Sequence, residues 1–258
     1  MTTTAWAERF SVAGRVALVT GGSKGLGKAF ARGLAEAGAD VVIASRSADE
    51  LRDALDEIIE GTPSRGATVV ADLARRGEAD RLATEAIDAF GRIDILVNNA
   101  GTNHLAAIDE IADEQWDRVL ELNVTAAMAL SRAVVPGMRE RGWGRIVHVS
   151  SIMGLVSRER RNLYSATKSA LLGLARASAI DVGEAGITVN CLAPGYFLTP
   201  MTEAVVPVPD RAALAARTAV GRWGDLDELV GPLLLLCSDA GSFITGSALV
   251  VDGGYTAR

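Results

Sequence analysis

The chain has 258 residues, 49% of them hydrophobic, with 26 Lys and Arg against 32 Asp and Glu for a formal net charge of −6. That length suffices for one large domain with a substantial core, and no Pro/Ser-rich linker or charge block divides it, so a single domain over 1–258 is expected. Charges of both signs are interspersed without a basic stripe, the opening Met1–Arg9 lacks the apolar core of a secretory signal, and no apolar run approaches the ~18 residues of a membrane span; these features argue against nucleic acid and membrane partners and for a cytoplasmic protein.

The first predicted element is a strand over Val16–Thr20, which breaks into Gly21-Gly22-Ser23-Lys24-Gly25-Leu26-Gly27 and continues as a helical pattern through Leu34 and Ala37. Glycines let the backbone take φ > 0 and approach a ligand, and the helix start behind them offers unpaired N–H groups to an anion, so the turn suits a pyrophosphate. Its spacing is looser than G-x-G-x-x-G and lacks the Gly-Lys-Ser/Thr ending of a Walker loop, which leaves an ordinary glycine turn as the alternative. The second strand, Val41–Ile43, runs into Ala44-Ser45-Arg46 with no acid at its end. An acid there would hold the ribose hydroxyls of NAD; a guanidinium and a hydroxyl, with Lys24 in reach, suit the 2′-phosphate of NADP(H).

Ser47-x-x-Glu50 has capping-box spacing and opens a helix with Leu51, Leu55, Ile58 and Ile59 on its inner side. Strands follow at Thr68–Val70 and, after a helix ending near Phe90, at Ile93–Val97. Asp113 is expected to cap a long helix bearing Trp116, Leu120, Val124, Ala127 and Leu130. Arg145–Val149 is the fifth strand, Tyr164–Asp181 a helix, Thr188–Leu192 the sixth strand, Asp225-x-x-Glu228 a second capped start, and Ala248–Val251 the seventh strand. Cys191 and Cys237 lie in apolar stretches and read as reduced buried thiols, with no metal site. Trp143 and Leu233–Leu236 read as core or subunit contacts. The alternation predicts an α/β fold: one Rossmann-type, doubly wound domain with a seven-stranded parallel sheet flanked by helices. The ligand belongs at the carboxyl ends of the strands, where Gly21, Ser45, Asp72, Asn99, Ser151 and Pro194 fall.

Tyr164 and Lys168 stand at i and i+4, on one helix face, and Ser151 follows the fifth strand. A cation beside a phenol favours phenolate and makes it an acid/base nearer neutrality, although such pairs also occur by chance on surface helices. His148, in a strand, reads as structural rather than as part of a hydrolase triad. Together with the glycine turn, Asn98-Asn99-Ala100-Gly101 and Pro194-Gly195-x-x-x-Thr199, this set resembles the classical short-chain dehydrogenase/reductases from about Phe10 to Gly254.

The resemblance implies that Tyr164 is the acid/base, that Lys168 lowers its pKa and holds the nicotinamide ribose, that Ser151 orients the substrate oxygen, and that Asn123 supports a proton relay. It further implies that Ser23, Leu26 and the turn glycines hold the pyrophosphate, that Asp72 and Leu73 meet the adenine, and that Asn99, Ala100 and Gly101 line the cofactor. Pro194, Gly195, Phe197 and Thr199 would hold the nicotinamide end. A homotetramer, a small-molecule alcohol or ketone substrate and a mobile lid at about 199–222 are also implied. The segments Ala193–Glu203 and Gly221–Val230 are similar to the gluconate 5-dehydrogenase group of that family, which works on a sugar acid; His104, Arg158 and Tyr196 are the added substrate candidates, with Arg158 best placed for a carboxylate. That group tends to carry arginine where this chain has His104, so a reductase of 3-oxoacyl thioesters or small cyclic ketones is the alternative. An NADP(H)-sensing binding protein and an assembly protein that uses only the fold are the non-enzyme ones.

Overall fold

Alternate residues of the first strand face opposite ways, and each way leads into a separate core. Val16 and Leu18 pack with Leu82, Leu130, Met138 and Leu171 on one side of the sheet. Ala17 and Val19 pack with Phe30, Leu34, Ile58, Leu233 and Leu236 on the other. A sheet buried on both faces and crossed by helices must be parallel. The computed structural model, which describes residues 3–257, places β1 (Val16–Thr20), β2 (Asp40–Ser45), β3 (Gly66–Val70), β4 (Ile95–Asn98), β5 (Gly144–Val149), β6 (Ile187–Pro194) and β7 (Ala248–Val251) in the all-parallel order β3-β2-β1-β4-β5-β6-β7. Met1, Thr2 and Arg258, included in the expected domain, lie outside the described residues. The strand order reverses between β1 and β4, and the crevice at their carboxyl ends is where an open α/β sheet takes its ligand.

The helices are α1 (Thr3–Phe10), α2 (Gly25–Glu36), α3 (Ala48–Ile59), α4 (Glu78–Phe90), α5 (Asp113–Leu120), α6 (Ala126–Arg141), α7 (Asn162–Val182), α8 (Pro200–Val205), α9 (Val208–Ala216) and α10 (Val230–Cys237). Local details depart from expectation in four places. Asp113 is the first residue of α5 rather than its cap, which is Ala112; its charge still favours the positive end of the helix dipole. Only half of the Ser47/Glu50 box forms: Ser47 Oγ accepts from Glu50 N at 3.3 Å, while the Glu50 carboxylate turns away to the glycine turn. Between α5 and α6 the helix widens into a π turn over Glu121–Thr125. The continuous segment Asp113–Arg141 is also long and apolar enough to cross a membrane by length and composition, against the expectation that no run is; 44% of its apolar window is buried inside the domain, as in a core helix.

Both cysteines are free and buried, and burial pushes each thiol up to about 12. Trp143 is held by the Arg15 and Arg145 guanidinium groups, 3.8 and 4.3 Å from its ring centre, and donates to Asp239 at 2.9 Å. His148 is buried in β5 with its Nδ1 3.1 Å from the Asn98 amide nitrogen, and burial, with the Lys168 charge, pushes it down to about 4, so it is neutral at neutral pH.

Candidate active site

The end of β1 and the start of α2 are pressed together in a way that only glycine permits. Gly21 and Gly25 have φ of 66° and 54°, and a Cβ on Gly27 would fall 2.1 Å from Gly21 O. Asn99, just past β4, locks the turn by donating from Nδ2 to Thr20 O at 2.8 Å, while Thr20 Oγ1 accepts from the N–H groups of Asn99 and Ala100, both at 3.0 Å. Lys24 caps α2 without a side-chain acceptor, which leaves first-turn N–H groups for a ligand. Thr199 and Pro200 stand 3.6 and 3.5 Å from where a Gly25 Cβ would be. The turn and the start of α8 therefore enclose a cradle that fits a dinucleotide's phosphates.

At the outer edge of the cradle, Ser45 is half-buried and Arg46 exposed. Lys24 is already engaged: its Nζ donates to Glu50 Oε1 at 3.0 Å, and Ser23 Oγ donates to Oε2 at 3.1 Å. These two bonds hold the Glu50 carboxyl below its ordinary value. Asp72 and Leu73 follow β3, where Asp72 Oδ1 accepts from Ala74 N at 3.3 Å and Leu73 is buried. The Phe197 side chain is buried in the core, with its ring against Gly224.

The reacting groups come from the ends of β5 and α7. Ser151 leaves β5 in extended geometry, and its Oγ accepts from Met153 N at 3.1 Å. Ser150 Oγ donates to Lys168 O at 2.8 Å and Lys168 Nζ donates to Val149 O at 2.7 Å, which ties α7 to the strand end. The Lys168 ammonium lies 5.5 Å from the Tyr164 ring centre. Asn123 sits in the π turn, where its Oδ1 accepts from Thr102 N at 2.8 Å and its Nδ2 donates to Thr102 O and Thr167 Oγ1 at 2.9 and 3.0 Å. A Cβ on Gly101 would approach Asn123 Oδ1 and Lys168 Nζ at 3.2 and 3.4 Å, so Gly101 lets both groups close in.

Electrostatically the pair differs from expectation. Burial raises the Tyr164 phenol above its ordinary value, opposed by the Ser151 hydrogen bond and the Arg161 charge. Lys168 is buried too, and desolvation pushes it down to about 8. Its ammonium is directed at Val149 O, so burial governs the phenol rather than the neighbouring cation.

A cleft opens over this group, lined by Ser151, Tyr164, Gly195 and Tyr196 among the expected residues. His104 and Arg158 do not line it. Asn103 takes the place of its neighbour His104, and Arg158 instead donates to the Tyr196 hydroxyl at 2.9 Å from behind. Arg161, Asn103, Ile152, Met153 and, from the expected lid, Met201, Thr202, Val205 and Val206 complete the lining. The signal for Arg161 lies in its spacing, three residues before Tyr164 on the same face of the helix start.

Residues 21–256 match a family model described as enoyl-(acyl carrier protein) reductase. Gluconate 5-dehydrogenase of Gluconobacter oxydans is 41% identical over 249 residues, 96% of each chain. A gluconate 5-dehydrogenase from Burkholderia cenocepacia, solved with NADP and tartrate, is 36% identical with a TM-score of 0.91, covering 98% of this chain and 99% of that one. L-sorbose reductase from Gluconobacter frateurii, solved with NADPH and L-sorbose, is 35% identical with a TM-score of 0.92, covering 97% and 99%. With nearly all of its length matched by these proteins and its fold superposing on theirs, the chain belongs to the short-chain dehydrogenase/reductase family.

Proposed function

We propose that the chain is an NADP(H)-dependent oxidoreductase that interconverts a secondary alcohol and a ketone, with Tyr164 as acid/base and a sugar acid of the gluconate 5-dehydrogenase type as substrate. The observation that carries this reading is the meeting of Ser151 and Tyr164 in one cleft, beside a glycine cradle at the switch point of the sheet. The bound coenzyme would supply or accept the hydride. Gly21, Ser23, Gly25, Leu26 and Gly27 would hold its pyrophosphate, Ser45, Arg46 and Lys24 its 2′-phosphate, and Asp72 and Leu73 its adenine. Asn99, Ala100, Gly101, Pro194, Gly195, Phe197 and Thr199 would hold the rest. Ser151 Oγ orients the substrate oxygen; the phenol of Tyr164, kept protonated by burial, gives its proton during ketone reduction and takes one during alcohol oxidation. Lys168 holds the ribose and, with Asn123, passes protons to the phenol. Residues 199–222 act as the lid, and a cytoplasmic homotetramer belongs to the same reading.

Relatives acting on gluconate support the sugar acid. The apolar wall of Met201, Val205 and Val206 favours a second reading, a 3-oxoacyl thioester or small cyclic ketone. Steady-state rates of NADPH oxidation with 5-ketogluconate, an acetoacetyl thioester and a cyclic ketone separate them: the sugar acid should give the highest kcat/KM. Tyr164→Phe should lower kcat at least about 100-fold with NADPH binding retained. Near-normal turnover by that variant would remove Tyr164 from its role, and binding of NADPH without turnover of any ketone would leave a coenzyme-sensing protein.

A further inference from the structure

Three arginines lie within the six residues ahead of Tyr164, and the backbone sends them in different directions. Arg158 donates to the Tyr196 hydroxyl at 2.9 Å. Arg160 takes φ of 61°, a left-handed conformation that residues other than glycine rarely adopt. Its guanidinium lies outside, paired with Glu110 at 2.7 Å. The kink is pinned on both sides, since Arg160 O accepts from Ala106 N at 3.2 Å and Asn162 Nδ2 donates to Ala106 O at 3.0 Å. Reversed by that kink, Arg161 points inward. It is only 9% exposed and lines the cleft with Ser151 and Tyr164. Among the described residues its guanidinium has no hydrogen-bond or ion-pair partner. Asn103 Oδ1, in the same lining, is also buried without a partner.

A cation on a largely buried, unpaired side chain is costly. Its position makes it more so, because Arg161 is the N-cap residue of α7, the end at which a helix repels positive charge. Local structure does not require this guanidinium: the backbone N–H and C=O of Arg161 make the turn and helix bonds, to Arg158 O at 3.3 Å and from Ser165 N at 2.7 Å. An anion entering the cleft would offset both costs together. We propose that Arg161 is the counter-ion of a substrate carboxylate, that Asn103 Oδ1 accepts from a hydroxyl beside it, and that Arg158 acts by positioning Tyr196. The assignment rests on the reading above that Ser151 and Tyr164 hold the reacting oxygen, and it makes the cleft selective for hydroxy or keto acids over their neutral counterparts.

L-sorbose has the keto group and hydroxyls of 5-ketogluconate with a hydroxymethyl group in place of the carboxylate, so the two isolate the charge. In Arg161→Ala and Arg161→Gln, kcat/KM for 5-ketogluconate should fall roughly 10- to 100-fold. That loss should exceed the loss on L-sorbose by at least about tenfold, and Arg161→Lys should recover part of it. NADPH affinity, measured alongside, identifies variants that fold. Equal losses on the two sugars, or no loss, would overturn the assignment. If the unmodified chain reduces neither sugar, the sugar-acid reading fails, and the anchor is tested by tartrate competing against a cyclic ketone. Competition that disappears in Arg161→Gln upholds it; no competition, or competition unchanged in the variant, ends it.

Discussion

Under the proposed coenzyme reading, Glu50 stands beside Lys24, one of the groups that would meet the phosphate of NADPH. Its carboxylate holds Lys24 at 3.0 Å and Ser23 at 3.1 Å, and both bonds keep it ionised at neutral pH. A 2′-phosphate reaching Lys24 must displace that carboxylate or approach it as a like charge. Both groups are about half exposed, so the pair itself contributes little to stability. Glu50→Gln should therefore free Lys24 and tighten NADPH binding by roughly three- to tenfold, with a smaller change for NADH, which lacks the extra phosphate. Titration of each coenzyme by fluorescence measures both. Unchanged or weaker NADPH binding would mean that Lys24 does not serve the phosphate.

The joint between β5 and α7 has a thermodynamic consequence of its own. Lys168 is buried at the strand end and desolvation lowers it to about 8 from an ordinary 10.5. Below pH 8 the folded chain bears a charged, buried ammonium at a cost; between 8 and 10.5 the unfolded chain binds the extra proton, so stability rises with pH across that window. Lys168→Met removes the cost and leaves Val149 O without its donor, a net gain of roughly 1–2 kcal/mol at pH 7 that should shrink as pH rises toward 10. Urea unfolding at several pH values tests it, and a variant less stable than the parent at pH 7 would contradict it. Elements of this kind were partly legible in the sequence. Apolar strands and amphipathic helices read directly as periodicity, and Ser151, Tyr164 and Lys168 fall at strand and helix ends that the pattern locates. The π turn under Asn123 was not legible, because widening a helix leaves the apolar spacing nearly intact. Nor was the partner of Glu50, since capping-box spacing is local and Lys24 lies 26 positions upstream. The ordering of Arg158 and Arg161 depends on the left-handed Arg160, which no residue preference signals.

Across the whole molecule, Arg161 and Asp94 mark opposite treatments of a buried charge at the two ends of the sheet. At the carboxyl end Arg161 and Asn103 Oδ1 have no partner among the described residues. At the amino end Asp94, fully buried, is matched on every side. Its Oδ2 accepts from Val16 N at 3.0 Å, and its Oδ1 accepts from Arg92 Nε at 2.9 Å and Arg141 Nε at 3.1 Å. Its backbone bonds Val16 O at 2.8 Å and Arg145 N at 3.0 Å, so one residue joins the starts of β1 and β5 to the end of α6. Asp94→Asn keeps the shape but replaces an acceptor by a donor and removes the charge that two guanidinium groups face. Both arginines are partly exposed, which lets water take up some of the loss. The expected destabilisation is about 2–3 kcal/mol, seen as a lower urea midpoint at unchanged slope. Because Asp94 lies at the end of the strands away from the cleft, kcat/KM of the folded variant should match the parent. A midpoint equivalent to less than about 0.5 kcal/mol of change would show that the arginines, reaching solvent, do not need Asp94, and that the amino end is held by backbone pairing alone.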